Sequence, residues 1–138
     1  MKAAFYRATR PGWQGVYSRL VRWIDGGPYS HVELIFSDGM SASASYLDGG
    51  VRFKQFDFDP AKWEIIEVGG DEAAAHTWFT EHEGRKYDLM GTARFLFGFV
   101  PQDPDKWFCS EAVAAALGLR DSWRYGPCGL FAMLEKTP

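Results

Sequence analysis

Few side chains can attack a carbonyl carbon at neutral pH, and cysteine is one of them. The chain has two, Cys109 and Cys128, alongside three histidines. Cys109 stands in the better place for such chemistry. In "DKWFCSEAVAAALGL" it follows two bulky aromatics and opens an alanine-rich stretch that predicts a helix. Unpaired backbone N–H groups and the dipole at a helix start favour an anion, here the thiolate that is the nucleophile of cysteine chemistry. The same amides can donate to the oxyanion that forms when a thiolate attacks a carbonyl.

Such a nucleophile needs a base. "YSHVELIFSDG", Tyr29 to Gly39, puts His31 at the mouth of an apolar strand. Side chains alternate across a strand, so His31, Glu33 and Ile35 share one face and Val32, Leu34 and Phe36 the other. The all-apolar set is the natural core face, which leaves His31 and Glu33 toward solvent or a site. An imidazole beside Cys109 can take its proton and hold the resulting ion pair. Taken singly, each residue has a plainer reading: a strand histidine as a structural or solvated group, a cysteine of a reduced protein as a small buried hydrophobe.

The other reactive side chains have mostly structural readings. Cys128, in "GPCGLF", has no histidine nearby in sequence. His76 and His82 lie on different faces of their predicted helix, both among polar neighbours, and read as solvated. A zinc site from His31, Cys109 and Cys128 matches no ligand spacing, and no cofactor is implied. Glu111 reads as a first-turn charge complementing a helix dipole, and Asp88 as the N-cap of a helix over "LMGTARFLF". The six tryptophans follow the helical and strand faces and read mostly as core.

Composition sets the frame around these groups. At 138 residues, 46% hydrophobic and 17% aromatic, the chain is long and apolar enough for one folded domain, residues 1–138. A net charge of −3 without a basic run argues against nucleic-acid binding. No stretch of about 18 apolar residues predicts an integral membrane span, and the N-terminus lacks the apolar core of a signal peptide. Two cysteines outside CxxC spacing suit a reduced, cytoplasmic setting.

The elements expected to position the two residues form one α+β unit. "AAFYRA" predicts a strand, and "WQGVYSRLVRWI" a helix stopped by the glycines of "DGG". "HVELIF", "MSASASY", "VRFKQFDF" and "KWEIIEV", separated by "SDG", "LDGG" and "DPA", predict four consecutive antiparallel strands. "DEAAAHTWFTEHEG", "DLMGTARFLFGF" and "CSEAVAAALGL" predict helices, and "GPCGLFAMLEK" a last short one entered at Pro127. The expected sheet has about 4–6 strands packed against these helices.

"PYSHVELIF", "GRKYDLMG", "WFCSEAVAAAL" and "GPCGLFAML", taken in that order, resemble the circularly permuted branch of the NlpC/P60 superfamily, papain-like in fold. That branch includes lecithin:retinol acyltransferase-like proteins and YiiX/YaeF-type hydrolases. The resemblance runs from about Arg19 to Leu134, and "HVELIFSDG" with its sequel also resembles small phage and prophage proteins. It implies that the catalytic histidine, His31, precedes the nucleophile, Cys109, and faces it from the first strand of a barrel-like sheet. It implies a third polar residue on the following strand that orients the imidazole. Ser43 is the best candidate there, with Ser41 and Ser45 on its face. A serine cannot stabilise an imidazolium as a carboxylate does. Glu33 is the rival orienter, roughly 6.5 to 7 Å along the strand from His31 and within reach only if its side chain folds back. Tyr87 resembles the family tyrosine that lines the site and helps hold the oxyanion; a core tyrosine is the alternative.

The expected function is a cysteine hydrolase or acyltransferase acting on an amide, ester or thioester, with a cell-wall peptide or lipid acyl group as small substrate. Action on a cell wall, without an export signal, implies release by lysis or carriage on a virion. The alternative is a non-catalytic assembly component, for example of a phage tail, keeping the fold and an inert dyad; the serine at the orienter position favours it. Oligomeric state is not legible.

Overall fold

The computed structural model describes residues 1–9, 12–88 and 105–137. Strand β1 (Lys2–Tyr6) leads to helix α1 (Trp13–Asp25), then to β2 (His31–Ile35), β3 (Ser41–Ser45), β4 (Gly50–Lys54) and β5 (Trp63–Glu67). Helix α2 (Glu72–His82), strands β6 (Lys86–Tyr87) and β7 (Lys106–Trp107), and helices α3 (Cys109–Ala116) and α4 (Pro127–Glu135) follow, with a 3-10 turn at Ser122–Arg124. The helix expected over "DLMGTARFLFGF" falls outside the described residues, as does the helix that Asp88 was expected to cap. Among the described residues the architecture is α+β, with four α-helices and one sheet in the order β5-β1-β2-β3-β4-β6-β7. All strand pairs are antiparallel except β6 with β7.

Two features of the sheet depart from the sequence expectation. β5 does not continue a hairpin meander from β4; it returns to the far side of β1, pairing Trp63 with Tyr6 and Glu67 with Lys2. The connection through "QFDFDPA" is too long for a tight turn and crosses a sheet face instead. The sheet also reaches seven strands because Lys86–Tyr87 and Lys106–Trp107 extend it by two residues each. Runs that short carry no alternation to read.

Strand alternation divides the buried residues between two faces. Phe5, Val32, Leu34, Ala42, Ala44 and Val51 form the main core with Phe79 of α2, Ala112 and Val113 of α3, and Leu130 of α4. The opposite face buries Ala4, Tyr6 and Trp63, against which Ile35 and Phe58 pack. This is the His31–Glu33 face, since Tyr6 pairs with His31 and Ala4 with Glu33. The loop after β4 lays Phe56 and Phe58 toward it, Phe58 edge-on to Trp63 at 5.1 Å. The face expected to meet solvent or a site is therefore roofed rather than open to solvent. Of the tryptophans expected in the core, Trp63 is buried, whereas Trp23 on α1 is 75% exposed.

Local chemistry fixes the helix ends. α1 stops at Gly26 in the left-handed conformation. Asp71 caps α2 by accepting from the Ala74 N–H at 3.0 Å. α4 begins with Pro127 after Gly126, which has no side chain to cap it. Asp25, the last residue of α1, takes that role from outside: its Oδ2 accepts from the Cys128 N–H at 2.5 Å, and its carboxylate from the Gly129 N–H as well. A Cβ at position 126 would overlap that carboxylate, so a larger residue there would displace Asp25 from its capping position. Burial raises the Asp25 pKa, and these backbone donors offset part of the rise. Asp25→Ala is expected to lower stability by about 1–2 kcal/mol in urea unfolding, as loss of a helix cap does; an unchanged midpoint would show that α4 starts without it.

Candidate active site

Sheet register brings the two reactive residues to one end of the sheet. His31 opens β2; Ser45 closes β3 beside Gly50, which pairs with Lys86, and Tyr87 pairs in parallel with Trp107. Two residues beyond Trp107 the chain reaches Cys109, the first residue of α3. β2 and β3 form only two ladder pairs, Leu34–Ala42 and Ile35–Ser41, so ladder pairing ends before the chain reaches His31. Ser43 sits beside this gap, and its hydroxyl donates to the Val32 carbonyl at 2.6 Å. This backbone oxygen is the kind of buried acceptor that must find a partner where a ladder stops.

Ser43 is therefore spent on the backbone, and the imidazole takes the rival candidate. His31 Nε2 lies 2.6 Å from Glu33 Oε1. The Glu33 side chain does fold back along its own strand. It is fully buried, and its charge is met from the other side by Arg52, whose Nη1 donates to Oε2 at 2.7 Å and Nη2 to Oε1 at 2.5 Å. Arg52 in turn gives its Nε–H to Asp48 at 2.9 Å, and Lys54 reaches the same carboxylate at 3.1 Å. Phe56 lies over the Arg52 guanidinium at 5.3 Å from the ring centre. Trp63 stands edge-on to the His31 ring at 6.2 Å. The polar chain thus runs from imidazole to surface under an aromatic cover.

Arg52 had no place in the sequence reading, although a signal existed. Once "LDGG" is read as a hairpin, register places Arg52 directly beside Ser43 on the same face. β2 and β4 are then about 9–10 Å apart across β3. A guanidinium and a folded-back carboxylate can bridge that distance only over a small residue. Ser43 supplies it, and its position in the site is that of a spacer.

The electrostatics follow from these contacts. Burial acts to lower the His31 pKa, but the charge of Cys109, a side-chain hydrogen bond with it and the Glu33 contacts outweigh it, raising the value to about 9. With Nε2 engaged by Glu33, Nδ1 is the ring nitrogen left for the thiol. Burial acts to raise the Glu33 pKa, and the hydrogen bonds and charges of Arg52 and His31 overcome it and hold the carboxyl below its ordinary range. Asp48 is lowered to about 2, because Arg52 and Lys54 outweigh its partial burial. The Cys109 and Glu33 contacts favour the protonated His31 imidazole in the folded state. Its raised pKa contributes stability fully present below its ordinary value of 6.5 and lost as pH rises through about 9. Glu33, with its lowered pKa, contributes above the ordinary carboxylate range and loses that contribution in acid.

The remaining candidates are placed as follows. Cys109 is buried, and its helix has Phe108 as N-cap with no side-chain cap bond. Tyr87, half-buried, stands beside Trp107 in the sheet and edge-on to Tyr46 at 6.0 Å. Glu111 and Asp88 are buried; the Asp88 N–H donates to the Trp107 carbonyl. Cys128 lies at α4, where its sulfur accepts from the Tyr29 N–H at 3.4 Å; burial first, then the Asp25 carboxylate, pushes its pKa up to about 12. His76 is exposed as expected, but His82 stacks on Trp78 at 4.0 Å rather than standing in solvent.

Compared with protein-family models and with curated proteins, the chain matches none.

The orienter assignment has a direct test in the ring titration of His31 followed by NMR. Glu33→Gln is expected to lower its midpoint by about one unit or more and to cost about 3–5 kcal/mol of stability by stranding Arg52. Ser43→Ala should leave the midpoint in place. A shift in the serine variant alone would reverse the assignment.

Proposed function

We propose that the chain is a cysteine hydrolase of the amidase or peptidase kind, or an acyl-transferring relative, built on the circularly permuted NlpC/P60 plan. The supporting observation is an imidazole held between a thiol at a helix start and a buried carboxylate. In this reading Cys109 is the nucleophile, His31 the base and later the acid, and Glu33 the group that fixes the ring and steadies its charge.

The steps follow from the placement. The Cys109 proton resides on His31, and the thiolate adds to the carbonyl carbon of an amide, ester or thioester. The carbonyl electron pair moves to oxygen, where first-turn N–H groups of α3, whose N-cap residue Phe108 makes no side-chain cap bond, can receive it. Collapse expels the leaving group, which takes the His31 proton, and leaves an acyl-thioester on Cys109. His31 then removes a proton from water or another acceptor that attacks this thioester, and returns it to sulfur. Tyr87, near the start of α3, is proposed as a wall of the site and a second oxyanion donor.

A peptide or acyl group is the proposed substrate, with cell-wall peptides first and lipid acyl groups second. A wall peptide would be met after lysis or from a virion. The non-catalytic assembly role drew its support from a serine orienter; a carboxylate partner for His31 favours the enzyme.

Iodoacetamide labelling of Cys109 in a Cys128→Ser background is the decisive measurement. Rapid labelling at pH 6 that slows at least about tenfold in His31→Ala is expected for an activated ion pair. Cys109→Ala should then abolish turnover in a panel of amide, ester and thioester substrates. Slow labelling indifferent to His31 would overturn the enzyme reading.

A further inference from the structure

Two cations share one carboxylate oxygen in this site. Glu33 Oε1 is 2.6 Å from His31 Nε2 and 2.5 Å from Arg52 Nη2, and the second Arg52 nitrogen holds Oε2. An ordinary orienting carboxylate gives its whole charge to the imidazole. Here a permanent cation takes both oxygens, and its own Nε–H is fixed by Asp48. The Arg52 side chain is 12% exposed and Glu33 not at all, so water does little to screen them.

The geometry points to Arg52 as a positioning residue that sets the protonation range of the Cys109–His31 pair, with Asp48 as its counterweight. The inference rests on the cysteine-enzyme reading but goes beyond it, since a triad alone assigns no task to either residue. The bidentate fork removes the rotational freedom of Glu33, so the imidazole meets a carboxylate in one orientation. Its charge opposes the imidazolium and makes the proton easier to release to a leaving group. Without it, Glu33 would hold the proton more tightly, in a form too basic to serve as acid. Among the described residues, the titratable and charged groups that face His31 are Cys109 from α3, Glu33 from β2 and, through Glu33, Arg52 from β4. On β1 and β5, Tyr6 and Trp63 flank it with a phenol and an indole.

The role makes predictions of opposite sign for two neutralising changes. Arg52→Gln removes a cation next to the titrating pair, and the His31 ring midpoint is expected to rise by about one unit. Asp48→Asn removes an anion on the outer side of Arg52, and the midpoint is expected to fall by a few tenths, about the size of a partly solvated charge effect. A residue that merely supports the fold would move the midpoint in neither pattern. Both are read by NMR titration of the ring in the full chain, which needs no substrate. Failure of the enzyme reading is therefore separately visible in the Cys109 labelling and substrate panel. An unchanged or lowered midpoint in Arg52→Gln overturns the inference, as does an unchanged or raised one in Asp48→Asn. Asp48 is part-exposed, with 28% of its side chain open, so its variant decides the matter alone if Arg52→Gln does not fold.

Discussion

A carboxylate with no exposure to water is the constraint around which this structure is arranged. Leaving Glu33 unpaired in the interior would cost several kcal/mol, so the surrounding chain must bring it positive charge and hydrogen-bond donors. His31 comes from the same strand and Arg52 from two strands away. The requirement propagates outward: the strand between must carry a small residue on that face, Asp48 must fix the far side of the guanidinium, and the loop after β4 must cover the row. Phe56, Phe58 and Trp63 complete the cover. Low polarity above the row strengthens every charge contact beneath it.

The same arrangement explains how Cys109, a member of the main core, comes to meet an imidazole carried on the other face of the sheet. α3 packs on the Val32–Leu34 face through Ala112 and Val113, so its first residue meets β2 only where the β2–β3 ladder has ended. The gap that Ser43 repairs with one hydroxyl is also where a group from one face of the sheet can meet a group from the other. Packing and chemistry thus depend on the same missing rungs.

Much of this was legible in the sequence. Helix stops at Gly26 and Gly84, the Asp71 cap and the entry of α4 at Pro127 follow from local rules that tertiary context seldom overrides. The pairing of His31 with Cys109 was legible from residue type and order. What local rules could not supply was strand order and the third dimension of a face. β5 crosses back to β1 because burying Trp63 against Tyr6 and Phe58 outweighs the short route, a long-range gain with no periodic trace. Ser43 and Glu33 were open alternatives since either can accept from an imidazole, and the choice turned on whether Val32 kept its ladder partner. Arg52 carried no motif at all; its meaning lies in a register two strands wide.

The strand pair that joins the two halves of the sheet is narrow. β4 meets β6 at one ladder position, Gly50 with Lys86, reinforced by Val51 N–H to the Arg85 carbonyl and Gly84 N–H to the Val51 carbonyl. At Gly50 a Cβ would overlap the Arg85 carbonyl oxygen, so the backbones approach there as no other residue allows. On one side of this seam lie β1 to β5 with the imidazole and its carboxylate; on the other lie β6 and β7, leading into the cysteine helix. A seam of so few bonds is where a native protein opens below its global unfolding free energy. Amide exchange at Val51 is then a gauge of how β6 and β7 hold to the five-stranded body, while α3 stays anchored to that body by its own core contacts.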